Sequence, residues 1–225
     1  MCNEVNHRAS NAGRYSDRMS QARPYHSPRR ELGAAATRRD LLRAARRLFA
    51  DRGYARVTVA DIAREAGTAV KTMYASVGGK AEILREILEE AVKDSGAEET
   101  TALILTLTDP LECLRELARG TRLGYEAHRE VLAILASAMP VLDSADALWN
   151  RVLASYQQGL GAVAVHLAEL GAVSISPDRG ADLLWFCFGP QAWRALVEDS
   201  GWTWDDAQAQ LTATARALLL ETISP

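Results

Sequence analysis

The chain has 225 residues, of which 48% are hydrophobic and 24% charged, as is ordinary for a globular protein of one or two domains. No apolar run of about 18 residues and no N-terminal signal segment is present, so we expect a cytoplasmic protein without membrane spans. The three cysteines lie far apart, which excludes a disulfide framework. No Cys/His cluster suggests a metal site, and we expect no metal or cofactor.

The formal net charge of −3 is divided unevenly along the chain. Residues 1–36 carry +3, residues 37–85 carry +6 and residues 86–225 carry −12. A basic segment joined to an acidic body is typical of a protein that binds a polyanion. Because the acidic body repels DNA, the basic end is the part expected to approach nucleic acid.

Residues 1–36 form a first region, rich in Arg, Ser, Asn and Pro and poor in aliphatic side chains. This composition predicts a flexible arm. Two interpretations stay open: an inert tail, or an arginine arm that follows phosphates or a minor groove.

The first predicted helix starts at Thr37 as N-cap and ends at Gly53. Its apolar residues recur with helical spacing, which places them on one buried face. They are Leu41, Leu42, Ala45, Leu48 and Phe49.

Two short helices follow, separated by Gly67. Thr58 is positioned to cap the first of them, and a longer helix begins at Lys80. The second short helix is predicted to point Val70, Met73 and Val77 inward. Two short amphipathic helices joined by a glycine turn predict a helix-turn-helix.

The outward face of the second short helix has the side chains that base edges require. In a helix-turn-helix this helix enters the major groove. Lys71 suits guanine edges, whereas Thr72 and Ala75 suit a thymine methyl group.

Three further residues are phosphate candidates. The Tyr74 hydroxyl can donate to a phosphate, and Thr58 and Lys80 lie at helix starts, where unpaired N–H groups favour anions. The alternatives are a packing role for the Tyr74 ring and a merely solvated Lys80.

The segment Phe49–Leu84 resembles the N-terminal DNA-binding domain of the TetR family of transcriptional regulators. The matching residues are Phe49, Gly53, Tyr54, Thr58, Asp61, Ile62, Ala63, Ala66, Gly67, Thr72, Tyr74, Lys80 and Leu84. The resemblance implies an all-helical homodimer, with bases contacted from residues 69–75. The full set of predicted DNA-contacting residues is Thr58, Thr68, Ala69, Lys71, Thr72, Tyr74, Ala75 and Lys80.

The remaining sequence is helical by its periodicity. Leu103–Thr108 alternates like a strand but has no partner, so it is interpreted as a linker or a helix start. The other predicted helices are Pro110–Arg122 or slightly beyond, Arg129–Met139, Ala145–Leu170, Asp178–Val197 and Trp204–Leu220. We therefore predict an all-α fold of about nine helices, with a three-helix helix-turn-helix domain over residues 37–84 and a helical ligand-binding and dimerisation domain over residues 85–225.

The segment Ala181–Leu220 resembles the last two helices of many TetR regulators. The resemblance implies that these helices form a four-helix bundle with a second copy. Pro190 is predicted to kink the first of them. The predicted interface residues are Leu183, Phe186, Trp193, Leu211 and Leu218.

Rings with polar atoms in the body are candidates for a ligand pocket, because such pockets are apolar with a few placed polar groups. The candidates are Tyr125, His128, Trp149, Tyr156, His166 and Trp185. For each of them, packing in the core or at an interface is the alternative.

The function that we predict is a homodimeric repressor that binds a palindromic double-stranded DNA operator and is released by a small apolar or aromatic ligand. An enzyme is disfavoured, because the sequence contains no GxSxG, HExxH, P-loop or GxGxxG motif. A weakly specific or architectural DNA-binding protein, or a protein-interaction module with the same fold, is the alternative. The identity of the ligand and the operator sequence do not follow from the sequence.

Overall fold

A computed structural model of the chain describes residues 28–220, and over that range the protein is all-α, as predicted. A short 3-10 turn at Tyr54–Arg56 and a π-helical segment at Arg194–Asp199 accompany the α-helices. The α-helices are α1 (Pro28–Arg52), α2 (Val59–Glu65), α3 (Val70–Val77), α4 (Lys80–Lys93), α5 (Ala97–Ile104), α6 (Pro110–Ala138), α7 (Ala145–Glu169), α8 (Pro177–Phe188), α9 (Pro190–Trp193) and α10 (Trp204–Leu219). We call α1–α4 the head and α5–α10 the body.

Helix α1 starts earlier than the sequence predicted. It begins at Pro28, so the predicted cap Thr37 lies inside the helix and its hydroxyl donates to the carbonyl of Gly33 at 3.0 Å. The run of alanines at residues 34–36 favours a helix, which explains the extension. Part of the predicted arm is therefore helical, and its first 27 residues lie outside the described range.

The predicted interruption between Arg122 and Arg129 is wrong. Helix α6 continues through residues 123–128, because its apolar face continues through buried Tyr125 to Val131. The segment Leu103–Thr108 was interpreted as a linker or a helix start. Residues 105–108 are indeed part of the linker between α5 and α6, whereas Leu103 and the buried Ile104 end α5, a helix that was not predicted.

The predicted kink at Pro190 is a complete break. Helix α8 ends at Phe188, Gly189 is extended with φ −62° and ψ 160°, and α9 starts with Pro190 at its first turn. The residue before a proline is sterically disfavoured in the helical region, which accounts for the break.

The buried side chains form two cores that share helix α6. The first core joins α1–α4 to the C-terminal half of α6, where Val131, Ile134 and Leu135 are buried. The second core packs α5 and the N-terminal half of α6 against α7, α8 and α10. One 29-residue helix therefore connects the head rigidly to the interior of the body.

Polar contacts reinforce the junction between the head and α6. The backbone N–H of Tyr54 donates to Oγ of Ser137 at 3.1 Å, and Nε of Arg46 lies 2.7 Å from Oε1 of Glu130.

Nowhere between residues 28 and 220 is a helix both long and apolar enough to cross a bilayer.

Candidate functional site

Helices α2 and α3 form the predicted helix-turn-helix, and α1 packs across both. Gly67, with φ +66°, makes the turn between them, a conformation that favours glycine. Met73 and Val77 anchor α3 in the first core. Val70, which was predicted to point inward, is 38% exposed, because the buried face of α3 starts only at Met73.

The outer face of α3 is available to solvent. Lys71, Thr72 and Ala75 are exposed, and Tyr74 is 53% exposed. Ala69 is the exposed N-cap of α3, whereas Thr68 before it is half-buried. The predicted base-contacting residues therefore lie on or beside one accessible helix face.

An arginine from α1 fixes the orientation of α3. Nε of Arg38 donates to Oε1 of Glu86 on α4 at 2.7 Å, and another nitrogen of its guanidinium donates to the carbonyl of Ser76 on α3. Arg38 thus joins three helices of the head. Sequence reasoning missed it, because nothing in the spacing distinguishes it from the other arginines of α1.

Thr58 caps α2, as predicted, through a reciprocal pair of hydrogen bonds with Asp61. The Thr58 hydroxyl accepts from the Asp61 N–H at 3.1 Å and donates to Oδ2 of Asp61 at 2.6 Å. Hydrogen bonds from the Thr58 side chain and backbone, and from Arg64, lower the pKa of Asp61 to about 2. The hydroxyl proton of Thr58 is engaged by Asp61, so donation to a phosphate would require the bond to Oδ2 of Asp61 to break.

Lys80 is held by the head. Its Nζ donates to the carbonyls of Tyr54 at 2.9 Å and Val57 at 3.0 Å, and it lies 4.1 Å from the centroid of the Tyr54 ring. Burial lowers the pKa of Lys80. Because an ammonium group has three protons, one remains for the predicted phosphate contact.

A cavity of about 120 Å³, which we call the body cavity, lies between α4 of the head and α5, α6 and α7 of the body. Three predicted ligand residues, Tyr125, His128 and Tyr156, line it together with Trp193. The Tyr125 hydroxyl donates to Oε1 of Glu198 at 3.0 Å, and the Tyr156 hydroxyl donates to the carbonyl of Phe188 at 2.5 Å. Burial raises the pKa of both tyrosines, and Glu198 adds to the effect at Tyr125.

Comparison with known proteins identifies the head. Residues 41–87 match the family model of the bacterial regulatory proteins of the tetR family. The head therefore contains a DNA-binding domain of the TetR family. Regulators of this family are not enzymes, in agreement with the prediction that this chain is not one.

A curated relative supports the assignment over a similar region. The HTH-type transcriptional regulator TtgR of Pseudomonas putida is 34% identical over 84 residues, which is 37% of this chain and 40% of that protein. The chain thus matches less than half the length of this relative.

Solved structures show that the whole described fold is that of TetR proteins. A protein from Saccharomonospora viridis, solved with choline, has a TM-score of 0.66 at 23% identity and covers 83% of this chain and 98% of its own. FadR of Bacillus halodurans, a fatty acid degradation regulator, has a TM-score of 0.62 at 19% identity, covering 81% and 94%. The TetR-family regulator PfmR of Thermus thermophilus has a TM-score of 0.60 at 22% identity, covering 83% and 96%.

The other three predicted ligand residues do not line the cavity. Trp149 packs against the first core, and Nε2 of His166 lies 2.8 Å from the carbonyl of Leu107. Trp185 packs edge-on against the Tyr156 ring, with centroids 5.8 Å apart. These three rings have packing or local hydrogen-bonding roles.

The predicted dimer residues divide into two groups. Phe186 is 67% exposed, Leu218 is 40% exposed and Leu183 is half-buried, so these side chains remain accessible. Trp193 and Leu211 are buried in the second core of the same chain, which is incompatible with an interface role. The break at Pro190 turns Trp193 inward, where its ring centroid lies 6.3 Å from that of Trp204.

Proposed function

We propose that this TetR-family chain is a homodimeric transcriptional repressor that binds palindromic double-stranded DNA through α3 and releases it when a small apolar or aromatic ligand enters the body cavity. The observation that carries the proposal is the accessible polar face of α3 on a head whose sequence matches the family model.

Charge and shape support DNA as the partner. The major groove admits one α-helix, and α3 carries lysine, threonine and alanine at exposed positions. The segment 37–85 carries +6 whereas residues 86–225 carry −12, so attraction to the duplex is directed to the head.

Exposed apolar side chains support a second copy as partner. Phe186 on α8 and Leu218 on α10 lie on two of the helices that the resemblance assigns to the dimer. A twofold dimer would place its heads on half-sites about one helical turn apart, which is why we expect a palindrome.

The position of the cavity supports regulation by a ligand. Its wall includes Leu88 and Val92 of α4 and Val131 of α6, and both helices also belong to the first core. A ligand that prefers one arrangement of these helices shifts the position of the head. Coupling of about 1–3 kcal/mol changes DNA affinity roughly 5–150-fold.

The decisive experiment is operator selection from random duplexes, followed by fluorescence anisotropy with the selected duplex and unrelated competitors. We expect the selected duplex to be a palindrome, and we expect unrelated duplexes to displace it poorly from the protein. Lys71→Ala should relax preference at one base pair of each half-site by about 1–3 kcal/mol. Lys93→Ala, an exposed lysine at the end of α4, is the matched control and should change nothing.

Equal affinity for every duplex would overturn the specific repressor and identify a weakly specific or architectural DNA-binding protein. Failure to bind any duplex at low salt would leave a protein-interaction module.

A further inference from the structure

Two residues that line the body cavity, Trp193 and His128, each have a buried ring nitrogen without a hydrogen-bond partner among the described residues. Trp193 is fully buried, and neither its Nε1 nor Nε2 of His128 has a hydrogen-bond partner among residues 28–220. Buried polar groups nearly always have partners. Two unpaired groups in one cavity wall therefore indicate where a bound molecule places polar atoms.

Three other polar side chains in the same wall are already engaged. The hydroxyls of Tyr125 and Tyr156 donate to Glu198 and to the carbonyl of Phe188. The hydroxyl of Thr101 donates to the carbonyl of Ala97 at 2.8 Å. A ligand would have to break these bonds in order to bond to the three hydroxyls, whereas Nε1 of Trp193 and Nε2 of His128 have no existing hydrogen bond to break.

The charge of the ligand follows from the wall. Among the described residues that line the cavity, none is Asp, Glu, Lys or Arg. A charged molecule would lose its hydration without a counter-ion, which is strongly unfavourable. The wall therefore selects a neutral molecule.

The polar atom and the size of the ligand are also constrained. An indole N–H is a donor only, so the atom that meets Trp193 has to be an acceptor. The cavity, at about 120 Å³, is of the same order as a cavity of about 150 Å³ that holds benzene. A single ring or a short chain of similar size fits it.

We propose that the body cavity takes a neutral, ring-sized apolar molecule with one oxygen acceptor, such as a ketone, and that the indole N–H of Trp193 donates to that oxygen. The ring of His128 offers the second polar contact. The proposal specifies the chemical class of the ligand of the proposed repressor. It rests on that proposed function only for the effect of the ligand on DNA binding, not for the binding of the ligand itself.

The test uses cyclohexanone and methylenecyclohexane, which differ in one position, oxygen against CH₂. The ketone is better hydrated than the hydrocarbon, so the two affinities for one protein are not compared directly. Instead, the affinity for each ligand is compared between the wild type and each variant. Calorimetry is performed on the full chain without DNA, for the wild type and for Trp193→Phe. The matched control is Trp202→Phe, which changes a tryptophan that is 41% exposed.

We expect Trp193→Phe to weaken the affinity for cyclohexanone about five-fold or more relative to its effect on the affinity for methylenecyclohexane, because one hydrogen bond is lost. Trp202→Phe should leave both affinities unchanged. Equal effects of Trp193→Phe on the two ligands, or no binding of either ligand to the wild type, would overturn the proposal.

A second measurement does not depend on whether the Trp193→Phe variant folds. In ¹H–¹⁵N spectra of the wild-type protein, cyclohexanone should move one tryptophan indole N–H signal downfield, and methylenecyclohexane should not. Trp→Phe changes at the other four tryptophans assign that signal to Trp193 by elimination. A downfield shift with both ligands or with neither contradicts the hydrogen bond.

Choline and cyclopentanecarboxylate test neutrality, because each is of similar size and carries a charge. We expect both to bind at least ten-fold more weakly than cyclohexanone, and stronger binding of either would refute a neutral ligand. Operator binding by the ligand-free protein is measured separately. If operator binding fails while ketone binding succeeds, only the repressor proposal is lost, and the converse result removes only the ligand assignment.

Discussion

Polar side chains in the head and in the body differ in how completely they are hydrogen-bonded. In the head, Lys80 and Arg38 bind groups on other elements, and Thr58 and Asp61 bond to each other at the α2 cap. In the body, Nε1 of Trp193 and Nε2 of His128, two residues that line the cavity, have no hydrogen-bond partner among the described residues. Satisfied polar groups hold the head in one geometry, as a surface that must match DNA requires. The unpaired groups of the body are where we propose that a ligand binds.

The two regions are nevertheless not independent, because α6 belongs to both cores. Its buried residues run from Cys113 in the body to Ala138 beside the head. A structural change at the cavity therefore has a direct mechanical route to α1–α4.

The strongest test of this shared helix is Leu135→Ala. Leu135 is fully buried in the first core, so we expect a loss of about 3 kcal/mol in the free energy of unfolding from the cavity that forms. Leu123→Ala, on the same helix but 50% exposed, should cost far less. Urea unfolding at one protein concentration measures both, and similar values would contradict the placement of α6 in the head core.

Gly120→Ala tests how tightly the cavity wall is packed. A Cβ at residue 120 would overlap the side chain of Thr100 on α5, so we expect α5 to be displaced and about 2 kcal/mol of stability to be lost. At Gly124 the nearest atom to a new Cβ is the carbonyl oxygen of Ser95, at 3.8 Å. Gly124→Ala should therefore be neutral or slightly stabilising through helix propensity. Thermal unfolding of both variants gives the comparison, and equal losses would argue against close packing of α5 on α6.

Lys80→Met asks whether Lys80 acts on the head or on DNA. The carbonyls of Tyr54 and Val57 would lose their donor, and we expect the free energy of unfolding to fall by about 1.5 kcal/mol. The exposed Lys71, changed in the same way, should alter stability by less than about 0.5 kcal/mol while weakening DNA binding. Unchanged stability of Lys80→Met would show that its internal bonds contribute little. The salt dependence of DNA affinity then reports any phosphate contact that Lys80 makes.

The smallest expected effect is a pH dependence at the α2 cap. Because the pKa of Asp61 is depressed to about 2 in the folded protein, its contribution is present above its ordinary pKa and is lost as pH falls toward 2. Asp61→Asn should flatten the pH dependence of stability in that acid range. Chemical unfolding at a series of pH values tests this, and identical slopes for wild type and variant would refute it.

Much of the head was predictable, because its signals are local. Thr58 as a cap, Gly53 and Gly67 as breaks and the apolar spacing around Leu41 each follow from short-range rules, and the structure bears them out. The start of α1 and the exposure of Val70 were missed, since helix ends and first turns depend on what packs against them.

The body was predicted less well. The same aromatic residue type can line a cavity, pack on a ring or face solvent, and only packing distinguishes Trp193, Trp185 and Trp202. Trp193 was assigned to a dimer interface because the resemblance places its helix in a four-helix bundle with a second copy, but the break at Gly189 redirects it into the core.

The sequence alone determined the all-α class, the helix-turn-helix and the division between a basic end and an acidic remainder. These depend on periodicity, caps and charge, which are properties of neighbouring residues. Only the tertiary structure decided that α6 serves both cores, that Lys80 and Arg38 fasten the head, and which rings meet at the cavity. Those features join residues far apart in the chain, and their partners are selected by the packing of whole helices, which no short stretch of sequence records.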